Sequence, residues 1–505
     1  MVGDLKKLAG QTFWYGFSSI FGRFLNYLLT PVLTGIYSSA KYGDISILFA
    51  LAAFLNIVFT FGMETSYFRF SREGDQRTVY DNGLTMVLAS TAALLALLLW
   101  TTPWIAAGMK MPDHPEYVRW VLWIVALDTL AALPFARLRQ EGRPIKFATV
   151  KILNIAVNVG LVLFFLVLCK GDHEAGRDTA WARFYNPSVD IGYVFVANLS
   201  ASALTLLMLG KELASFRPRL DVPLLKRMLT YTAPLIVVGF GGMVNETIDR
   251  FMITNRFPGT VDEARSANGI YSANYKLAVV IVLFIQAFRM GAEPFFFRSA
   301  GQQGSPRTYA RVMKFFVLAC CFCFLGVVLY LDVWKHFMGI GKHPEYLEGL
   351  RVVPILMLSK IMLGVYYNLS IWYKLTDRTL TGAWITLGGA LITVAVNYLT
   401  IPWIGYMGSA IATLLCYGFM MVTSYRLGQK HYPVPYPWKK LTAYVVICLL
   451  LFGIHRLFKV WSPGLWWTHG CATLLLLAFA AFVARVERRE LAAVPLLSRL
   501  PGIRS

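Results

Sequence analysis

Charge is scarce in this chain. Only 15% of its 505 residues are Asp, Glu, Lys or Arg and 57% are apolar, whereas a soluble protein is roughly one quarter charged. A soluble chain of this length would form about three domains with polar surfaces, and too few charges exist to cover them. Long polar connections are missing too. The longest one facing outward, 170–190, leaves no room for an extramembrane domain. The seven cysteines all lie within or at the edge of apolar segments, which excludes a spaced disulfide framework. Cys320-Cys321-Phe322-Cys323 has no His or second Cys pair beside it and reads as buried small side chains. The seven His form no HExxH or similar cluster, so no metal centre is expected. Gly339-Ile340-Gly341-Lys342 lacks the spacing of a phosphate loop, so the chain is expected to carry no ATPase and no cofactor of its own. No cleavable signal peptide is visible, because the first apolar block is too long and follows only Lys6-Lys7.

What is present is apolar sequence in blocks of about twenty residues, the length that crosses a bilayer as helix. Fourteen such segments run roughly over 12–35, 44–63, 83–107, 118–137, 148–169, 191–210, 229–255, 267–289, 311–333, 351–373, 379–400, 403–425, 440–457 and 465–484. In lipid each must be helical to satisfy its own backbone. The spacing predicts an all-α polytopic membrane protein with about fourteen transmembrane helices. The net charge of +21 comes from Lys and Arg in short loops, not from a phosphate-tracking face, so nucleic acid is not a partner. With both termini inside, inner loops and tails carry 30 Lys and Arg and outer loops 13. The positive-inside rule therefore places both termini in the cytoplasm.

The chain repeats. Gly62-Met63-Glu64-Thr65-Ser66-Tyr67-Phe68-Arg69 ends the second segment, and Gly291-Ala292-Glu293-Pro294-Phe295-Phe296-Phe297-Arg298 ends the eighth. Tyr42-Gly43 and Asn268-Gly269 open the same two helices. Six segments separate the copies, so they face the same way, related by an axis along the membrane normal. This divides the chain into a six-helix lobe over 1–214, a second over 215–432, and two further helices with a basic tail over 433–505. Two parallel lobes with a seam between them suit a transporter that rocks about a central site.

Charges within the spans are costly and point inward, toward protein or water. Arg23, Lys276 and Lys360 are the candidates for a cationic lining that holds an anionic, phosphate-bearing substrate. The alternative pairs them with the acids Asp128, Glu246 and Asp249 as structural ion pairs, and the same three carboxylates are the candidates for coupling transport to H+ or Na+. For Asp249 and Arg250, a gate or ion pair fits better than substrate contact. Glu64 with Arg69 and Glu293 with Arg298 stand at equivalent inner helix ends. Both a cross-seam gate and local helix-end salt bridges are open to them. Pro31 and the Gly239-Phe240-Gly241-Gly242 run fall in repeat-related helices, where they ease bending or permit close packing.

The segments Leu5-Lys6-Lys7-Leu8-Ala9, Tyr15-Gly16-Phe17-Ser18-Ser19, Gly22-Arg23-Phe24-Leu25, Gly62 through Phe70 and Leu133-Pro134-Phe135-Ala136-Arg137-Leu138-Arg139 resemble bacterial oligosaccharide flippases of the O-antigen type. These belong to the multidrug/oligosaccharidyl-lipid/polysaccharide (MOP) exporter superfamily. The resemblance covers most of residues 1–430. It implies a V-shaped pair of lobes in the bacterial inner membrane, opening alternately to either side. The implied cargo is a polyprenyl-pyrophosphate-linked oligosaccharide carried to the outer leaflet for surface polysaccharide such as lipopolysaccharide. The implied partners are membrane lipids and a polysaccharide polymerase or glycosyltransferases. Arg23 and Lys276 are placed like the cationic cavity residues of lipid II flippases. The last two helices resemble the pair that forms a lipid-tail groove there. A cation-coupled multidrug exporter is the alternative, although the first span lacks the acid usual in that branch. A polytopic polymerase or ligase is a more distant one.

Overall fold

The computed structural model describes residues 20–22, 24–25, 27–299, 304–338, 343–461 and 464–491, without the side chains of 294 and 297–299. Among these residues twelve helices are long and apolar enough to span a bilayer, and two shorter apolar helices complete the series. In chain order they are α1 (Ile20–Ile36), α2 (Ser39–Phe70), α3 (Gln76–Trp100), α4 (Pro115–Gln140), α5 (Pro144–Glu174), α6 (Gly192–Met208) and α7 (Val222–Arg256). The series continues with α8 (Val261–Ser299), α9 (Ser305–Val328), α10 (Pro344–Leu375), α11 (Thr379–Ile404), α12 (Tyr406–His431), α13 (Trp438–Trp461) and α14 (Leu465–Val486). The chain is a multi-pass, all-helical membrane protein.

Helix starts follow local chemistry. The Asp75 carboxylate accepts the backbone N–H of Thr78 at 3.0 Å and so caps α3. Asp221 does the same for α7 through Leu224, with Pro223 in the first turn. Helices α7 and α8 extend well past the apolar stretches 229–255 and 267–289. Their flanks, with Lys226 and Arg227 on one and Asp262 and Glu263 on the other, stay helical in polar surroundings. An apolar run locates the lipid-facing length, not the helix end.

Helices α2 to α6 pack against one another, as do α7, α8, α10, α11 and α12, and these two groups are called the lobes; between them α2 packs on α7 and α8. Helix α9 joins the second lobe through α10, and α13 and α14 pack on α9. The connector between the lobes lies along α3. Asp81, Asn82 and Thr85 accept the backbone N–H groups of Arg217, Asp221 and Arg219 at 3.2, 3.0 and 3.1 Å. The membrane side that holds this connector is called the linker end, and the opposite side the far end.

Helices α2 and α8 cross at the far end, backbone against backbone. A Cβ on Gly43 would stand 2.1 Å from the Arg265 carbonyl, and one on Gly269 1.8 Å from that of Ser39. Only glycine permits this approach. The two glycines that the repeat makes equivalent thus touch each other, as residues beside a two-fold axis do. From the crossing, α2 stays against α7 through Phe54–Phe240 and Ile57–Gly239. Along α8, residues 267–278 are nearly all buried, whereas 279–291 are mostly half-exposed.

Candidate substrate seam

The far end of the seam is closed by polar bonds between the lobes. Ser39 and Ser266 share a hydrogen bond of 2.7 Å, and Asn268 donates to the Gly43 carbonyl at 3.0 Å. Glu345 accepts the Ser39 N–H at 3.2 Å, and the Tyr346 hydroxyl donates to the Tyr37 carbonyl at 2.9 Å. Arg265 bridges to Asp44 at 3.4 Å and donates to the Lys110 carbonyl. Apart from the Gly43 and Asn268 neighbourhoods, none of these residues carried a signal, because their bonds join chain segments more than 150 residues apart.

Lys276 is seven residues past Gly269, two helical turns on, and therefore on the same face of α8. It stands where the buried half of α8 gives way to the half-exposed half. Among the described residues no carboxylate forms a salt bridge with it. Arg23, its expected companion, lies outside the described residues.

Lys360 is different. Its side chain is 0% exposed and its ammonium bonds both Glu246 oxygens, at 3.2 and 3.1 Å. The hydroxyls of Tyr275 and Tyr417 donate to the same carboxylate at 2.8 and 2.5 Å. Glu246 lies seven residues after Gly239, the residue that meets α2, and keeps 38% of its side chain exposed. A ligand in the seam would meet Glu246 before Lys360. Of the two roles open to Lys360 from sequence, its position is that of an ion pair. The three tyrosines of this network, Tyr271, Tyr275 and Tyr417, are unremarkable in the sequence. Tyr271 donates to Asp249 at 2.6 Å, and Asp249 pairs with the adjacent Arg250 at 2.6 Å. Both members of that pair are buried.

In the first lobe a cavity of ≈ 300 Å³ opens between α2, α4 and α6, with Met243 of α7 across its mouth. Its walls are apolar except for Asn56, Asn198 and Asp128. Asp128 accepts a hydrogen bond from Ser202 at 2.7 Å. No cation among the described residues lies within salt-bridge distance of it, unlike Glu246 and Asp249.

At the linker end two of the candidate gate residues, Glu64 and Glu293, pair within their own lobes. Glu64 pairs with Arg139, and Glu293 with Arg289 at 3.2 Å and Lys374 at 2.7 Å. The side chain of Arg298 lies outside the described set. A salt bridge crosses between the lobes here, from Arg227 to Glu73 at 3.4 Å. Arg69 shares Glu73 at 3.7 Å and stacks 5.0 Å over Tyr231 of the other lobe, while Arg227 stacks 5.3 Å over Phe70.

Similar folds occur in solved transporters. The lipid II flippase MurJ in an inward closed conformation superposes with a TM-score of 0.69 at 15% identity, covering 93% of this chain and 98% of that one. An inward-facing multidrug resistance MATE family transporter of the MOP superfamily gives 0.58 at 13% identity, over 86% and 95% of the two chains. A point mutant of the Vibrio cholerae MATE transporter VcmN gives 0.54 at 12%, over 85% and 98%. At such identities the likeness is one of fold. No curated protein sequence matches the chain. The model of one family, described as polysaccharide biosynthesis protein, matches residues 8–299, more than half of the sequence. That match, over more than half of the sequence, shows that the chain belongs to the polysaccharide biosynthesis protein family.

Proposed function

We propose that the chain is a flippase that moves a polyprenyl-pyrophosphate-linked oligosaccharide across the bacterial inner membrane. In this reading the linker end faces the cytoplasm. The observation that carries it is Lys276: an intramembrane ammonium at the throat of the seam with no carboxylate partner among the described residues. A charge left unpaired at that depth is costly unless a counter-ion visits it. A pyrophosphate supplies such a counter-ion, and Arg23 adds a planar fork that bonds two phosphate oxygens at once. The saccharide occupies the seam and the prenyl chain stays in lipid. The closed far end and half-exposed inner part of α8 correspond to the loading state. Asp128, with no salt bridge among the described residues, is the coupling carboxylate, and its protonation biases the equilibrium between the two lobe arrangements.

The test is mass spectrometry of lipid-linked glycans in a deletion strain carrying wild type, Lys276→Ala or Arg23→Ala at equal protein levels. The expected outcome is accumulation of a complete repeat unit in the deletion, cleared by wild type and by neither variant. Clearance by both variants would remove the cationic site. A normal glycan pool in the deletion strain would instead favour export of an amphiphilic cation.

A further inference from the structure

Helix α13 packs on α9 on one side, but on the other it stands away from the lobe. The gap is a cavity of ≈ 330 Å³ between α9, α10, α12 and α13, lined by Met313, Val317, Met362, Val365, Val422 and Val445 among others. None of its lining residues lies on α1, α2, α7 or α8, so it is off the seam. All four helices contribute from their linker-end halves. There the cavity meets an aromatic collar of Tyr425, Tyr436 and Trp438, with the two tyrosine rings 6.4 Å apart. Directly outside the collar stand Arg426, Lys430 and Lys439, all exposed and none paired with a carboxylate among the described residues. Lys439 lies 5.9 Å over the Trp438 ring. By contrast, neighbouring Lys440 is committed to Glu487 at 3.2 Å.

We infer that this cavity is a binding site for an anionic phospholipid of the linker-end leaflet. An apolar gap between spans cannot stay empty without losing the packing contacts of its walls, and in a bilayer the filler at hand is an acyl chain. The collar lies toward the linker ends of α12 and α13, with Trp438 the first residue of α13, and tyrosine and tryptophan are enriched at membrane interfaces. Three uncommitted cations beside it select a negative headgroup over a zwitterionic one. The bound lipid completes the contact between α13 and the second lobe and so holds the last two helices in register with it. This site is independent of the transported cargo.

The experiment is native mass spectrometry of the full-length protein in detergent, titrated with phosphatidylglycerol or phosphatidylcholine of matched acyl chains. Wild type should retain one tightly held phosphatidylglycerol, with roughly tenfold preference over phosphatidylcholine. The triple variant Arg426→Gln, Lys430→Gln, Lys439→Gln, altered only at exposed positions, should bring the two lipids level. Val365→Trp, which fills the cavity, should lower retention of both. Equal binding of the two lipids by wild type, or an unchanged preference in the triple variant, would overturn the assignment. So would displacement of phosphatidylglycerol by polyprenyl phosphate at lower concentration, which would make the occupant the carrier lipid instead.

Discussion

At the scale of single residues, the intramembrane charges divide by whether a partner is built into the fold. Glu246 and Asp249 have Lys360 and Arg250 beside them and tyrosine hydroxyls aimed at them. Removing one partner of the buried Asp249–Arg250 pair, or Glu246 from beside the buried Lys360, strands the other, so in the proposed reading these four hold the second lobe together. Lys276 and Asp128 lack ion-pair partners among the described residues, and in the proposed reading they answer the substrate and a proton. Asp128→Asn fixes the neutral form and should flatten the pH dependence of transport while leaving the fold intact. Transport measured in vesicles over a pH series checks this, and a profile unchanged from wild type would exclude Asp128 from coupling. The intramembrane charges themselves were legible in the sequence. Their pairing was not, because Glu246 and Lys360 are 114 residues apart and meet only through packing.

At the scale of elements, the repeat is not symmetric in detail. In α2 the motif glycine breaks the helix: Phe61 and Gly62 have φ of 49° and 62°, in the left-handed region. In α8 the equivalent Gly291 lies in continuous helix, with open space where a Cβ would point. Gly62→Ala should therefore cost about 1–2 kcal/mol through backbone strain, whereas Gly291→Ala should be neutral or slightly stabilising. Thermal unfolding of the two purified variants compares them directly. The match between the motifs was readable in sequence, but only the dihedral angles distinguish a kink from a straight helix.

The last two helices are held at the linker end by two carboxylates, Glu490, which bridges to Lys314 at 2.7 Å and Arg311 at 3.6 Å, and Glu487. Glu487 is 2% exposed and bonds Lys314, Lys440 and Tyr444. Burial alone would raise its pKa, but the bond from Lys314, with those from Tyr444 and Lys440, outweighs burial and holds it below the usual carboxylate range. A folded-state pKa below the unfolded one means stability that is full above about pH 4.3 and lost as pH falls through the lowered folded value. Limited proteolysis of α13–α14 should accordingly accelerate on acidification below that point. Glu487→Gln should show the faster rate already at neutral pH, with a loss of about 2 kcal/mol. The sequence showed α13 and α14 as an addition to the repeat and was silent on this clasp, whose members come from three separate helices.

At the scale of the whole molecule, composition and span length reveal the membrane fold with little ambiguity, since few charges and twenty-residue apolar blocks admit no other. The arrangement of the lobes was partly legible: Gly43 and Gly269 were visible as equivalent positions, and the structure makes them the crossing point. The bonds around them define which end is shut. Alternating access requires those bonds to part on every cycle. Ser39 and Ser266, with their hydroxyl oxygens 2.7 Å apart on opposite lobes, allow this to be controlled. The most direct measurement is leaflet-to-leaflet transfer of a polyprenyl-pyrophosphate glycan in vesicles bearing Ser39→Cys/Ser266→Cys. Oxidation should stop transfer and reductant should restore it, with either single variant unaffected. Transfer at the wild-type rate with the disulfide fully formed would contradict a cycle in which the far end opens.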